Sequence, residues 1–427
     1  VCAIFPGCDA KGEDRMNQLL EDLRISARVE EGPLGPFIGS YAAQLLSEGY
    51  ARHSSCVKIR LVGAFSRWLS RKRIAANEVV DQHTVDFLRY RNRCGHRRGL
   101  GDPATLIRLL KLLRDQGVIA RLPVRAPTTP SERLVEEYDL YLGKERVLSE
   151  ATRINYRPFV QKFLNVRFGK GPAILSRLCA TDIVGFVRCH ARHLHSRRVQ
   201  LMTTALRSFL RFARYRGDIT LDLAACVPPV ASWSLSTLPR ALPPAHVKLV
   251  LEHCDRQTAV GRRDYAILLL LARLGLRSGE VAGLGLEDID WKNGFFSVVG
   301  KGGCSSQLPL PADVGNAIAA YLKNGRPGLS VSRRLFLRAR APAVGFTSMA
   351  VRDVVKRALG RAGIDSPRKG AHQFRHALAT GMLNRGASLS EIGELLRHQS
   401  PDTTRIYAKV DLASLRALAM PWPGGGR

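Results

Sequence analysis

None of the nine cysteines of this 427-residue sequence pairs with another in the C-x-x-C spacing of a zinc site or redox centre. Scattered thiols exclude a disulfide scaffold and fit a reducing, cytoplasmic setting. Long apolar runs are also missing. The longest, Ala266 to Leu276, is interrupted by Arg273, falls short of the ~20 residues of a membrane span, and reads as a buried helix. The first thirty residues carry Asp9, Lys11, Glu13, Asp14 and Arg15 where a secretory signal needs an apolar core. No G-x-x-x-x-G-K-[ST] loop occurs, which removes the commonest device for nucleoside triphosphates. Acidic residues are few: 36 against 66 basic ones, for a net charge of +30 spread along the whole chain. Lysine is scarce too, at 14 of those 66. A planar guanidinium grips phosphate oxygens bidentately where an ammonium acts as a point charge. A polyanion, nucleic acid before membrane, is the partner this implies. With 45% apolar residues the chain can bury sizeable cores, and its length suits two or three domains of roughly 150 residues.

Two proline-rich stretches, Arg121 to Ser131 and Pro228 to Pro244, forbid helix continuation and read as linkers. The segments before and after the first share one plan. Each opens on a tyrosine-bearing helix (Tyr41 to Leu46; Tyr138 to Leu142). A helix with an apolar stripe follows (Val57, Leu61, Phe65, Leu69; Ile154, Phe159, Phe163, Leu164). Next comes a short apolar and basic helix (from Val85; from Ile183), and last a basic amphipathic helix closed by glycine (from Leu109; from Leu206). Arg207, Arg211, Arg214 and Arg216 on the last helix suit either phosphate contact or an ordinary solvated face. The remainder mixes helices with one hairpin, Phe295 to Gly300 and Ser306 to Pro311 around a glycine-rich turn.

Four stretches of this last part each supply polar residues that packing does not demand. In the first, Gly275 can close an apolar helix, Arg277 begins the next turn and Glu280 lies three residues on. The second is Lys301, set in the Gly300 to Gly303 turn. In the third, His372, Arg375 and His376 stand at i, i+3 and i+4, one face of a helix, suited to oxyanion binding and proton transfer. The fourth starts on a capping box, Ser388 with Glu391, ends its helix near His398 and runs through Pro401 to Tyr407. Singly, each has an ordinary alternative: Arg277 as a solvated helix start, His398 as a cap, Tyr407 as a packed aromatic. Cys189, His190, His193 and His195 lack the second ligand pair of a metal site.

R-x-x-E, a hairpin lysine, H-x-x-R-H, then a histidine with a tyrosine nine residues on: this series resembles the tyrosine recombinase (phage integrase) family, closely over Leu238 to about Leu418 and more loosely over the middle segment. The resemblance implies a multidomain chain with two all-α helical-bundle DNA-binding modules followed by a mixed α/β catalytic domain, mostly α with a small antiparallel sheet. On this reading residues 1–120 form an N-terminal helical module, 132–227 a core-binding (SAM-like) domain, 228–244 a linker, 245–418 the catalytic domain and 419–427 a flexible tail. It further implies that Tyr407 is the nucleophile forming a 3′-phosphotyrosyl bond, that Arg277 and Arg375 clamp the phosphate, that His372 accepts the phenolic proton and that Lys301 protonates the leaving 5′ oxygen. His398 would hydrogen-bond the phosphate, Glu280 would orient the arginines, and His376 would be structural. No cofactor or metal is implied.

One departure stands out: Arg397 occupies the place before the last histidine where the family usually has glycine. Gln307 also stands in the hairpin's second strand where a basic residue is frequent. The partners implied are double-stranded DNA and further copies of the chain, as a homo-tetramer on two DNA sites with sister recombinases or DNA-bending proteins as accessories. The helix from Leu412 to Met420 would dock on a neighbour. The setting implied is a mobile element in the cytoplasm, at the nucleoid, with no membrane. Competing readings are a type IB topoisomerase, which uses similar chemistry without exchanging partners, and a catalytically weak DNA-binding regulator.

Overall fold

A computed structural model describes residues 30–96, 99–121, 127–230, 241–300, 302–328, 330, 332–366 and 369–410. The chain divides into two compact units, one of Val1–Arg121 with Thr237–Arg427 and the other of Leu122–Ser236. It is mostly helical, with one small antiparallel sheet of three strands. No helix among the described residues is long and apolar enough to cross a membrane.

The first segment folds as α1 (Ile38–Ser47), α2 (Arg52–Arg71), α3 (Asp81–Arg93) and α4 (Asp102–Asp115) around Tyr41, Phe65, Phe87 and Leu109. The second folds as α5 (Pro130–Lys144), α6 (Glu150–Phe168), α7 (Ala180–Ala191) and α8 (Ser196–Tyr215) around Tyr138, Phe163, Phe186 and Phe209. The shared plan extends to a single bond. In each segment the buried tyrosine of the first helix donates to a main-chain carbonyl of the last, Tyr41 to Thr105 at 3.1 Å and Tyr138 to Ala205 at 3.5 Å. Two stripe residues are misplaced by the sequence reading, since Val57 is 49% exposed and Ile154 58%. At 3.6 residues per turn a strict i+4 row drifts by about 40° per step, and Ile154 stands about 140° round the helix from Phe159. The basic stripe on α8 is largely satisfied internally: Arg207 caps the Val227 and Pro228 carbonyls, while Arg214 and Arg216 pair with acidic side chains.

The third segment is centred on α10 (Ala259–Leu274), capped by Thr258, whose side chain accepts from the Gly261 N–H. Ala266 to Leu271 are all buried, so the apolar run is a helix enclosed by protein. It is preceded by α9 (Pro244–Glu252) and followed by α11 (Ser278–Gly283), β1 (Ile289–Asp290), β2 (Phe295–Val299), β3 (Ser305–Pro309), α12 (Ala312–Asn324) and α13 (Ser348–Arg361). The expected hairpin forms, in register Phe296 to Leu308. It gains the short β1, pairing Ile289 with Phe296, which two residues of sequence could not announce. Phe296 and Val298 face the core while Phe295 and Val299 face outward, the alternation of a half-buried strand. The chain continues through α14 (His372–Leu383), α15 (Leu389–Leu396), α16 (Pro401–Thr404) and a 3₁₀ turn at Arg405–Val410. The expected docking helix from Leu412 to Met420 and the tail at 419–427 lie outside the described residues.

Candidate active site

The site is assembled where three helix ends meet. Gly275 closes α10 in the left-handed conformation, φ 58°, a region that costs residues with a Cβ. Arg277 is the N-cap residue of α11. Its main-chain N–H donates to Glu280 Oε2 at 2.9 Å and its Nη1 to Oε1 at 2.7 Å. Glu280 is 5% exposed and binds a second guanidinium, since Arg397 Nη2 donates to Oε2 at 2.8 Å. Burial pushes the Glu280 carboxyl up, and the Arg277 hydrogen bonds with the Arg397 charge more than reverse it, leaving the group below the usual carboxylate range.

Arg375, 4% exposed on α14, ties the elements together. It donates to the Gly275 carbonyl at 2.6 Å and to the Leu396 carbonyl at the end of α15. Burial, then the Arg277 and Arg397 charges, bring its pKa down to about 10, so it stays a cation at neutral pH. His398 Nδ1 meets Thr404 Oγ1 at 2.7 Å. Burial first, then the Arg375, Arg277 and Arg397 charges, hold its imidazole down to about 4, hence neutral.

Tyr407 is 2% exposed. Its ring packs with Ala379, Ile392 and Leu396 in a small apolar cluster of its own, and its hydroxyl meets His376 Nδ1 at 3.0 Å. Burial raises the phenol's pKa and Arg375 opposes the rise. His372 lies at the exposed start of α14, its ring centroid 6.4 Å from that of His376. Arg277, Glu280, Arg375, His398 and Tyr407 are therefore brought together. His372 sits at the edge and Lys301 lies outside the described residues. The turn that carries Lys301 approaches the site, since a Cβ at Gly302 would lie 3.6 Å from the Gln399 side-chain nitrogen. Three guanidiniums against one carboxylate give this corner a surplus of positive charge suited to an anion, with the Tyr407 phenol near Arg375. Among the described residues no group of three His, Cys, Asp or Glu side chains could hold a metal ion.

Residues 240–413 match the phage integrase family and residues 135–217 its N-terminal SAM-like domain. A protein of Sinorhizobium fredii (strain NGR234) named integrase/recombinase y4rA is 49% identical over 401 residues, covering 93% of this chain and 97% of that protein. The chain belongs to the phage integrase family of tyrosine recombinases. Tyrosine recombinase XerD of Corynebacterium glutamicum is 30% identical over 305 residues, spanning 68% of this chain and 97% of its own. The fold is that of the crystal structure of XerH site-specific recombinase bound to palindromic difH substrate, at a TM-score of 0.53 and 20% identity over 66% of this recombinase and 83% of XerH.

Two features of this recombinase's site escaped the sequence. The sequence reading gives His376 a structural role, and the fold makes it the direct partner of the Tyr407 hydroxyl; the i+4 spacing from His372 is visible, but which imidazole faces the phenol depends on how α14 rolls against α15. Arg397 is a visible departure from the family pattern, but its pairing with a residue 117 positions away leaves no local mark.

Proposed function

We propose that this recombinase breaks and rejoins double-stranded DNA at specific sites by transesterification, moving a mobile element. The observation that carries the reading is the convergence of Arg277, Arg375, His398 and the Tyr407 phenol on one buried corner. The phenolic oxygen attacks the scissile phosphorus, forming a 3′-phosphotyrosyl bond, and the P–O bond to the 5′ oxygen breaks. Arg277 and Arg375 offset the charge that grows on the non-bridging oxygens and fix the phosphorus in line. Neutral His398 donates a hydrogen bond to the same oxygens. His376 holds the phenol in its buried place, and His372, one turn earlier, receives its proton as the hydroxyl meets the phosphate. Lys301 gives a proton to the leaving 5′ oxygen. The ester energy is kept in the protein link, so rejoining reverses the attack without a nucleotide.

The architecture belongs to the same proposal. Residues 1–120 and 132–227 act as two helical-bundle modules on the DNA, joined through 228–244 to a catalytic domain at 245–418, and four copies assemble on two sites. The XerH neighbour is described as bound to its difH substrate, and the net charge of +30 suits a phosphate backbone. The test is a nicked suicide DNA substrate carrying the cognate site. A covalent adduct on a denaturing gel that disappears in Tyr407→Phe is expected, and an adduct surviving that substitution refutes the nucleophile.

A further inference from the structure

Arg397 ends α15 in the left-handed conformation, φ 54° and ψ 53°, where glycine is the low-cost choice and a long side chain is not. What the side chain does there is specific. It is 12% exposed and reaches Glu280 Oε2 at 2.8 Å. Its Nη1 touches the Leu395 carbonyl at 3.3 Å. Its Nε is buried with no hydrogen-bond partner among the described residues. Glu280 is thus shared: Oε1 takes Arg277 Nη1, while Oε2 takes the Arg277 main-chain N–H and Arg397. An arginine and a carboxylate left to themselves form two parallel bonds, fork to fork. Arg397, together with the Arg277 main-chain N–H, occupies the oxygen that the second bond would need.

We propose, on the reading of the site given above, that Arg397 is a positioning residue for strand cleavage. By holding Glu280 Oε2 it confines Arg277 to a one-ended side-chain pair and leaves the rest of that guanidinium for the scissile phosphate. It has a second effect of the same sign. With Arg397 present Glu280 is neutralised by two cations, so the corner keeps a surplus of positive charge beside His398. With glycine there, Glu280 closes on Arg277 alone.

The experiment compares wild type, R397G, R397K, E280Q and the R397G/E280Q double variant in single-turnover cleavage of a saturating nicked suicide substrate, with binding to the same DNA measured separately. Glycine suits the backbone at 397, so R397G folds. Its cleavage rate is expected to fall by about tenfold or more, while its Kd moves by less than about threefold, because binding is spread over many phosphates. R397K, which keeps the charge without the fork, should fall between. In the E280Q background the R397G effect should shrink to within about twofold, because the residue acts through Glu280. Cleavage by R397G at the wild-type rate overturns the proposal. So does an equal loss in both backgrounds, which would mean that Arg397 touches the phosphate itself, or a lowered Tm with an unchanged rate, which would mean a merely structural part. A wild type that yields no Tyr407-dependent adduct overturns the underlying reading as well, whereas a normal wild-type adduct with an unimpaired R397G overturns the positioning role alone.

Discussion

Gly275→Ala is the sharpest probe of how the site is held. Gly275 has φ 58°, and a Cβ there would lie 2.7 Å from Leu396 Cδ2 and 3.1 Å from Leu378 Cδ2. The left-handed conformation costs a residue with a Cβ roughly 1–2 kcal/mol. The colliding atoms are methyl ends that can yield, so overpacking adds about 1 kcal/mol, the low end of its range. Together these give about 2–3 kcal/mol, or a fall of about 4–12 °C in Tm for a domain of this size. Gly294→Ala is the internal control, because Gly294 has φ 70° and nothing within 4 Å of its added carbon. It carries the conformational cost without the collision, and the difference between the two isolates packing. Function should separate them further. The displaced Leu396 and the Gly275 backbone supply the two carbonyls that hold Arg375, so Gly275→Ala should slow single-turnover cleavage by about tenfold while Gly294→Ala leaves it alone. Melting curves and suicide-substrate cleavage read both. Equal Tm losses, or a Gly275→Ala enzyme at wild-type rate, would refute the reasoning.

His398 is held down to about 4 in the folded chain against about 6.5 unfolded. The unfolded chain therefore takes up a proton that the folded one refuses between those values, and stability should rise with pH across pH 4 to 6.5 and level off above. His398→Asn should flatten that slope in melts over a pH series. Tyr407→Phe should abolish the covalent adduct on a denaturing gel while costing only about 0.5–1.5 kcal/mol of stability, because it removes one hydroxyl bond and keeps the packed ring. His372→Ala should lower the cleavage rate by about 10²–10⁴-fold, as the loss of a general base does. His376→Ala should act mainly on Tm, and a reversed order of the two in single-turnover rates would exchange their roles.

Local chemistry was legible in the sequence wherever one residue type settles a backbone. Gly275 closes α10, Ser388 with Glu391 opens α15, and the alternation from Phe295 to Val299 makes a strand. The order and spacing of Arg277, Glu280, Arg375, His398 and Tyr407 single out residues that the fold brings to one corner. The missing part was direction. Val57 satisfies a spacing rule and still faces solvent, because small angular drift accumulates along a helix, whereas Ile154, five residues before Phe159, belongs to a different face from the stripe the sequence reading assigns it to. The His376 bond to Tyr407, the Arg397 hold on Glu280 and the short β1 depend on tertiary placement, to which a linear pattern is blind.

The Tyr407 ring sits apart from the large core built on α10, in a pocket lined by Ala379, Ile392 and Leu396. A satellite of that size opens locally at lower cost than the main core, so the 3₁₀ turn bearing the Tyr407 hydroxyl can come loose while the core on α10 stays folded. Main-chain amides of Arg405 to Tyr407 should consequently swap deuterium long before those of Ala266 to Leu271. The timing of strand cutting would then be set by how often this corner breathes.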